Sequence, residues 1–400
     1  MKRINRRDFL KYSAIASSAV FVPKILLGSS RKLFSYERTE KRLVVVQLSG
    51  GNDGLNMVVP YRNDIYYSLR PKISLDSKTV LKLNDEMGLN PNMEGIYSLF
   101  REGKMCIMNN VGYPNPDHSH FRSMDIWQSA SDSSRYVQSG WIGRYLDEIC
   151  GDNCHSYSAI EVDDTLSLAL KGELVKGLAI KSPEQFFNSA GNKLLKEIHI
   201  EDHRSKNQSL DYLYRTLRET EASVRYLKQQ NNKEHAHGDY PKGEFANKLQ
   251  KTAQFIATDS DIRTYYISLG GFDTHVKQTD RQNKLLGELS EGITAFMKDL
   301  ALCGKENDTL VMVFSEFGRR VKQNASDGTD HGTANNVLLF SEGLKNRGVF
   351  NEAPDLEKLS AGDLCYSLDF RSIYATILQK WLSANDKMIL GNTFSIMNFI

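Results

Sequence analysis

Six side chains of metal-binding type stand where their chemistry can converge: Asp53, Asp273, His275, Glu316, Asp330 and His331. Three apolar runs deliver them. Leu43-Val-Val-Val-Gln-Leu leads into Ser49-Gly-Gly-Asn52-Asp53-Gly, Tyr265-Tyr-Ile-Ser-Leu into Gly270-Gly-Phe-Asp273-Thr-His275, and Leu310-Val-Met-Val-Phe-Ser into Glu316, with Gly328-Thr-Asp330-His331-Gly close behind. A buried strand that ends in an acid beside glycine can aim a ligand into a shared crevice, because glycine allows sharp turns and close backbone approach. Carboxylate oxygen and imidazole nitrogen together suit a divalent ion, whether Zn, Ca, Mg or Mn, in a site for one or two metals. Any one of these acids alone reads equally as a helix cap or turn former. Their joint occurrence is what points to a metal.

A second constellation is Asp117-His118-Ser119-His120-Phe121-Arg122, a polar loop that follows a strand-like run and opens a helix. A helix start offers unpaired N–H groups and favours an anion or a nucleophile. Ser119 is the candidate nucleophile. Ser119 lies between His118 and His120, either of which is a candidate proton acceptor or holder of the leaving group, and Arg122 or Arg319 is placed to neutralise an anion. The alternative for Ser119 is an ordinary helix cap. A metal-free Ser119-His331-Asp330 relay is disfavoured, because adjacent acid and base side chains diverge from the backbone.

The elements that must position these groups alternate along the chain. Strands are expected at Lys104–Val111, 264–269, 309–314 and Asn336–Phe340, and helices at Met93–Arg101, Met124–Ser129, Asn207–Gln230, Glu244–Thr258, Leu285–Leu302 and Phe370–Leu382. Strands alternating with helices imply an α/β fold, a mainly parallel sheet with helices on both faces. The 400 residues can bury a sizeable core, and a net charge of +2 from 51 basic and 49 acidic residues argues against nucleic acid as partner. Trp127, Trp141 and Trp381 read as core residues rather than sugar platforms. Asn231–Lys242, with His235 and His237, reads as a solvated loop.

The amino terminus carries Arg6-Arg7-Asp-Phe9-Leu10-Lys11 before a weakly apolar stretch rich in Ala and Ser, which reads as a twin-arginine signal. Residues 1–30 are therefore assigned to the signal, 31–42 to a linker and 43–400 to one domain. The expected route is export through the twin-arginine translocation machinery to the periplasm or cell envelope, with membrane anchoring only if the signal stays uncleaved. Of five cysteines, Cys150 and Cys154 are close enough to pair, while Cys106, Cys303 and Cys365 read as buried small hydrophobes.

Leu48-Ser-Gly-Gly-Asn-Asp-Gly-Leu-Asn, Ser119-His-Phe, Leu269-Gly-Gly-Phe-Asp-Thr-His, Ser315-Glu-Phe-Gly-Arg and Gly328-Thr-Asp-His-Gly-Thr, in this order, resemble the signature segments of the bacterial exported family called domain of unknown function 1501. That family is placed with the alkaline phosphatase and sulfatase superfamily. The resemblance implies an alkaline phosphatase-like core and a metal-dependent hydrolase acting on phosphate or sulfate esters. By position, Asp53 resembles the first ligand, Ser119 the nucleophile, Asp273 with His275 the central pair and His331 the final histidine. Glu316-Phe317 departs from the Asp-His the superfamily commonly has there. Phe317 cannot ligate, which leaves Glu316 or Asp330 for a second metal. The rival reading is a degenerate, inactive hydrolase fold that binds glycans or partner proteins at the envelope.

Overall fold

The computed structural model describes residues 40–150, 156–181, 222–223, 225–230, 238–258 and 260–400. The twin-arginine segment, most of the linker, the Cys150–Cys154 pairing, most of the Asn207–Gln230 helix and the loop with His235 and His237 lie outside them. Its main elements are β1 (Arg42–Ser49), α1 (Glu94–Arg101), β2 (Met105–Gly112), α2 (His120–Ser129), α3 (Trp141–Cys150), β3 (Ala159–Glu161), β4 (Leu178–Ala179), α4 (Glu244–Ala257), β5 (Thr264–Gly270), α5 (Gln278–Leu302), β6 (Thr309–Ser315), β7 (Asn335–Phe340), β8 (Gly348–Val349), the short pair β9 (Leu359–Ser360) and β10 (Asp363–Leu364), β11 (Leu368–Asp369) and α6 (Phe370–Thr376).

Nine strands make one sheet in the order β8-β2-β7-β6-β1-β5-β3-β4, with β11 also paired to β2. The apolar runs are continuous because both faces of each central strand are covered. Along β1, Leu43 and Val45 enter one core with Trp127, Trp141, Phe370 and Tyr374 from α2, α3 and α6. Val44, Val46 and Leu48 enter the other with Ile96, Phe245, Leu249 and Leu286 from α1, α4 and α5. This is the expected α/β architecture, a mainly parallel sheet with helices on both faces. All three tryptophans are buried.

The exception in direction is β7, antiparallel to both β6 and β2. Its amino end therefore lies at the same sheet edge as the carboxyl ends of β1, β5 and β6. Register aligns those ends, with Ser49 opposite Gly270 and Leu48 opposite Ser315. Two helices begin earlier than apolar spacing predicts, α2 at His120 and α5 at Gln278, and the last helix changes to a π-helical turn over Ile377–Trp381. Cys106 is buried as expected, but Cys303 is only half-buried and Cys365 is exposed just beyond β10, so the reading of all three as buried is corrected for these two. Among the described residues no helix is long and apolar enough to cross a membrane.

Candidate metal centre

Four loops meet at that edge. Gly50, after β1, has φ +118°, and a Cβ there would come within 2.4 Å of the Asp273 backbone nitrogen. Only glycine lets the β1 loop approach the β5 loop so closely. Arg319, after β6, is buried and ties the loops together: its guanidinium donates to the carbonyls of Gly50, Gly51, Phe272 and Thr329 and to Asp273 Oδ1 at 2.7 Å. An isolated antiparallel bridge joins Arg319 to His331, so the segment entering β7 is fixed to the segment leaving β6.

His120, Asp273 and His331 come together here, with one ligand-type atom from each lying within 4.8 Å of the others. His120 is the first residue of α2. Its Nδ1 is 2.9 Å from Glu316 Oε1, and Glu316 is fully buried, also accepting from the Gly50 N–H at 2.8 Å and the Ser315 hydroxyl at 3.2 Å. His331 Nδ1 lies 2.7 Å from the His118 carbonyl. With an oxygen acceptor holding each Nδ1–H, both Nε2 atoms keep a lone pair, the orientation that protein metal sites use. They lie 3.7 Å and 3.4 Å from Asp273 Oδ1. His275 adjoins the trio, its Nε2 3.0 Å from Asp273 Oδ1 and 3.0 Å from His331 Nε2, while its Nδ1 is 3.3 Å from Asp330 Oδ1.

The electrostatics agree with this arrangement. Burial alone would raise the Asp273 carboxyl, but Arg319, His275 and His120 hold it below the ordinary carboxylate range. The hydrogen bond to Glu316 raises His120 against the opposing effect of burial. Burial lowers His331, helped by the positive charge of Arg319, which keeps its ring neutral and able to bind an ion. A hydrogen bond from Asn324, with His275 beside it, lowers Asp330. Two imidazole nitrogens and a carboxylate oxygen, each held by outer partners, are a donor set that fits a divalent metal ion.

The other residues singled out in the sequence take different places. Asp53 is buried, and its Oδ2 accepts from Arg70, which is equally buried, and from Gln278. The structure does not bring it into the trio. Glu316 lies behind His120 and Asp330 beside His275, each as a partner of a histidine. Arg122 directs its Nη2 to the carbonyls of Asp132, Ser133 and Arg135 and stacks on Tyr136, which engages it away from an anion. Ser119 is exposed at the amino cap of α2, and its hydroxyl makes no cap bond. Phe317 is buried, its ring 4.9 Å from that of His120 and 4.7 Å from that of His331.

Asp363, whose Oδ2 lies 3.0 Å from His118 Nε2, escaped the sequence reading. Nothing in the short β9–β10 pair signals a catalytic neighbourhood. Arg70 escaped it too, as one arginine among ordinary surface-type residues. Arg319 was legible only as an anion partner, whereas its position makes it the tie between loops.

The family described as Protein of unknown function (DUF1501) matches residues 40–391. No curated protein matches the chain in sequence. Among solved structures it is similar to a protein in the alkaline phosphatase superfamily from Vibrio parahaemolyticus, with 11% identity, TM-score 0.42 and coverage of 98% of this chain and 78% of that one. It is also similar to the PsFucS1 sulfatase from Pseudoalteromonas sp., with 11% identity, TM-score 0.40 and coverage of 90% and 70%. The lipoteichoic acid synthase LtaP from Listeria monocytogenes gives 10% identity, TM-score 0.36 and coverage of 78% and 68%.

Proposed function

This chain belongs to the DUF1501 family, and from its site we propose a metal-dependent hydrolase of phosphate or sulfate esters. The observation that carries the reading is the trio of His120, Asp273 and His331, with the Nδ1 atoms of its histidines held by Glu316 and by the His118 carbonyl. A bound divalent ion would supply Lewis-acid polarisation of the ester oxygen and charge compensation for the anion. Ser119 offers an uncommitted hydroxyl at a helix start for attack on phosphorus or sulfur. His118, oriented by Asp363, stands beside it to hold the proton. His120, Asp273 and His331 would hold the ion, and His275, steadied by Asp330, adjoins them.

The Arg6-Arg7 motif supports delivery by the twin-arginine machinery to the periplasm or envelope, the compartment proposed for this activity. Replacing both arginines with lysine should leave the protein in the cytoplasm, as cell fractionation would show.

The decisive experiment is metal analysis of exported protein, comparing the wild type with Asp273→Ala and His331→Ala. Stoichiometric metal in the wild type, lost in both variants together with ester turnover, is the expected result. A second reading, a catalytically inactive binding protein, draws on Phe317, whose non-ligating ring is packed against two of the three ligands. Metal-free wild-type protein without turnover would favour it.

A further inference from the structure

The loop after β5 brings Asp273 and His275 to the site, and the segment entering β7 brings Asp330 and His331. Each carries a buried threonine beside these residues, Thr274 in the first and Thr329 in the second. Both hydroxyls bond to one atom. Thr274 Oγ1 donates to Gln278 Oε1 at 3.2 Å, and Thr329 Oγ1 donates to the same oxygen at 2.6 Å. The other end of this amide is engaged as fully, its Nε2 donating to Asp53 Oδ2 and, at 3.0 Å, to Gln282 Oε1. A side-chain amide has two donor hydrogens and two acceptor lone pairs, so Gln278, wholly buried, has all four in use. The Asp53 carboxylate, paired with Arg70, accepts hydrogen bonds, which fixes the amide with its oxygen toward the threonines.

The backbone at this point is shaped to hold the amide in place. Lys277 has φ +47°, a left-handed conformation that a lysine seldom adopts. Its N–H donates to the Ser326 carbonyl at 3.0 Å, and that of Gln278 to the Asp327 carbonyl at 2.9 Å. Backbone strain of this kind persists only where the surroundings over-determine it, and it collects near functional sites. Arg70 in turn anchors Asp53 to the Arg320 and Val321 carbonyls, so the amide rests on a fixed base. We propose that Gln278 is a positioning residue for the metal centre, acting through Thr274 and Thr329 to set how far Asp273 stands from His331, 3.4 Å in this structure. This role deepens the metal reading and rests on it. Because the amide is neutral, removing it alters the spacing of the two loops and leaves the charges of the trio as they are.

The test titrates metal-free wild type, Gln278→Met, Thr329→Val and Thr329→Ser with Co2+, whose visible absorption follows the geometry of its ligands. Gln278→Met and Thr329→Val should bind about tenfold more weakly than wild type and show a shifted band at saturating Co2+, whereas Thr329→Ser, which keeps the hydroxyl, should stay within about twofold and retain the wild-type band. A wild-type band in either of the first two overturns the positioning role even where thermal unfolding moves to lower temperature, because Gln278 then supports the fold alone; the metal reading stands. If Gln278→Met does not fold, the two Thr329 variants decide by the same criteria. If the wild type takes up no Co2+, the metal reading fails, and hydrogen exchange decides the role of Gln278 by itself. The Thr329 amide donates to the Thr274 carbonyl at 3.3 Å. Faster exchange there in Gln278→Met and Thr329→Val, with the amides of β5 and β6 unchanged, upholds the tie between the loops. Unchanged exchange at Thr329, or faster exchange through both strands as well, overturns it.

Discussion

At Glu316 a carboxylate without solvent exposure holds one imidazole of the trio, and that bond also raises the His120 ring above its ordinary value. Metal uptake must displace that proton, so affinity should fall as pH drops through the His120 range. Glu316→Gln should weaken binding by ~10- to 100-fold and flatten the pH dependence, as metal titrations at two pH values would show. Asp53 calls for the opposite outcome. Asp53→Asn would leave Arg70 with a neutral partner in a site closed to water. Losing one member of a buried pair costs ~3–5 kcal/mol. Denaturant unfolding should register that loss, while the metal content of the folded protein stays stoichiometric; metal lost from a stably folded variant would make Asp53 a ligand after all.

The elements show why some of this was readable and some was not. Runs of five or six mostly apolar residues announce β1, β5 and β6, because strands covered on both faces admit few polar residues. The start of α5 gave no such signal, since its first turns are polar. Gln278 and Gln282 are nevertheless buried there, because they donate to Asp53 and to Asn52. The strand-end acids were legible as a set, but the division into trio members and supporting partners depends on which loop closes on which, and spacing along the chain does not encode that. The β1 loop gives a prediction at this scale. Gly50→Ala must place a methyl 2.4 Å from the Asp273 nitrogen in a left-handed backbone conformation. It should cost ~1–3 kcal/mol in thermal unfolding and weaken metal binding, because Asp273 is pushed off its position.

For the whole molecule, Glu161 links pH to stability from beyond the site. It ends β3, is 5% exposed, and burial pushes its carboxyl up to about 7 from an ordinary value of 4.5. The folded chain therefore holds this proton more tightly than the unfolded chain does. The stability it contributes is full below the unfolded pKa and is lost as pH rises through about 7. At 1.36 kcal/mol per unit the change is up to ~3 kcal/mol. Glu161→Gln should remove this component, so that urea unfolding at pH 5 and pH 8 differs less in the variant than in the wild type.

The reversed direction of β7 also bears on the order in which the chain assembles. β6 and β7 form an antiparallel pair close in sequence, and Arg319 bridges His331 only 12 positions away, whereas β1 pairs with β5 across more than 200 residues. Closing the shorter loop costs less chain entropy, and contacts between near neighbours form sooner. The Arg319–His331 portion should therefore gain protection early in refolding, with His120 and Asp273 arriving as the sheet closes. Pulse-labelling hydrogen exchange would show amides of the 316–340 segment protected before those of β1, and metal capture should follow the later phase.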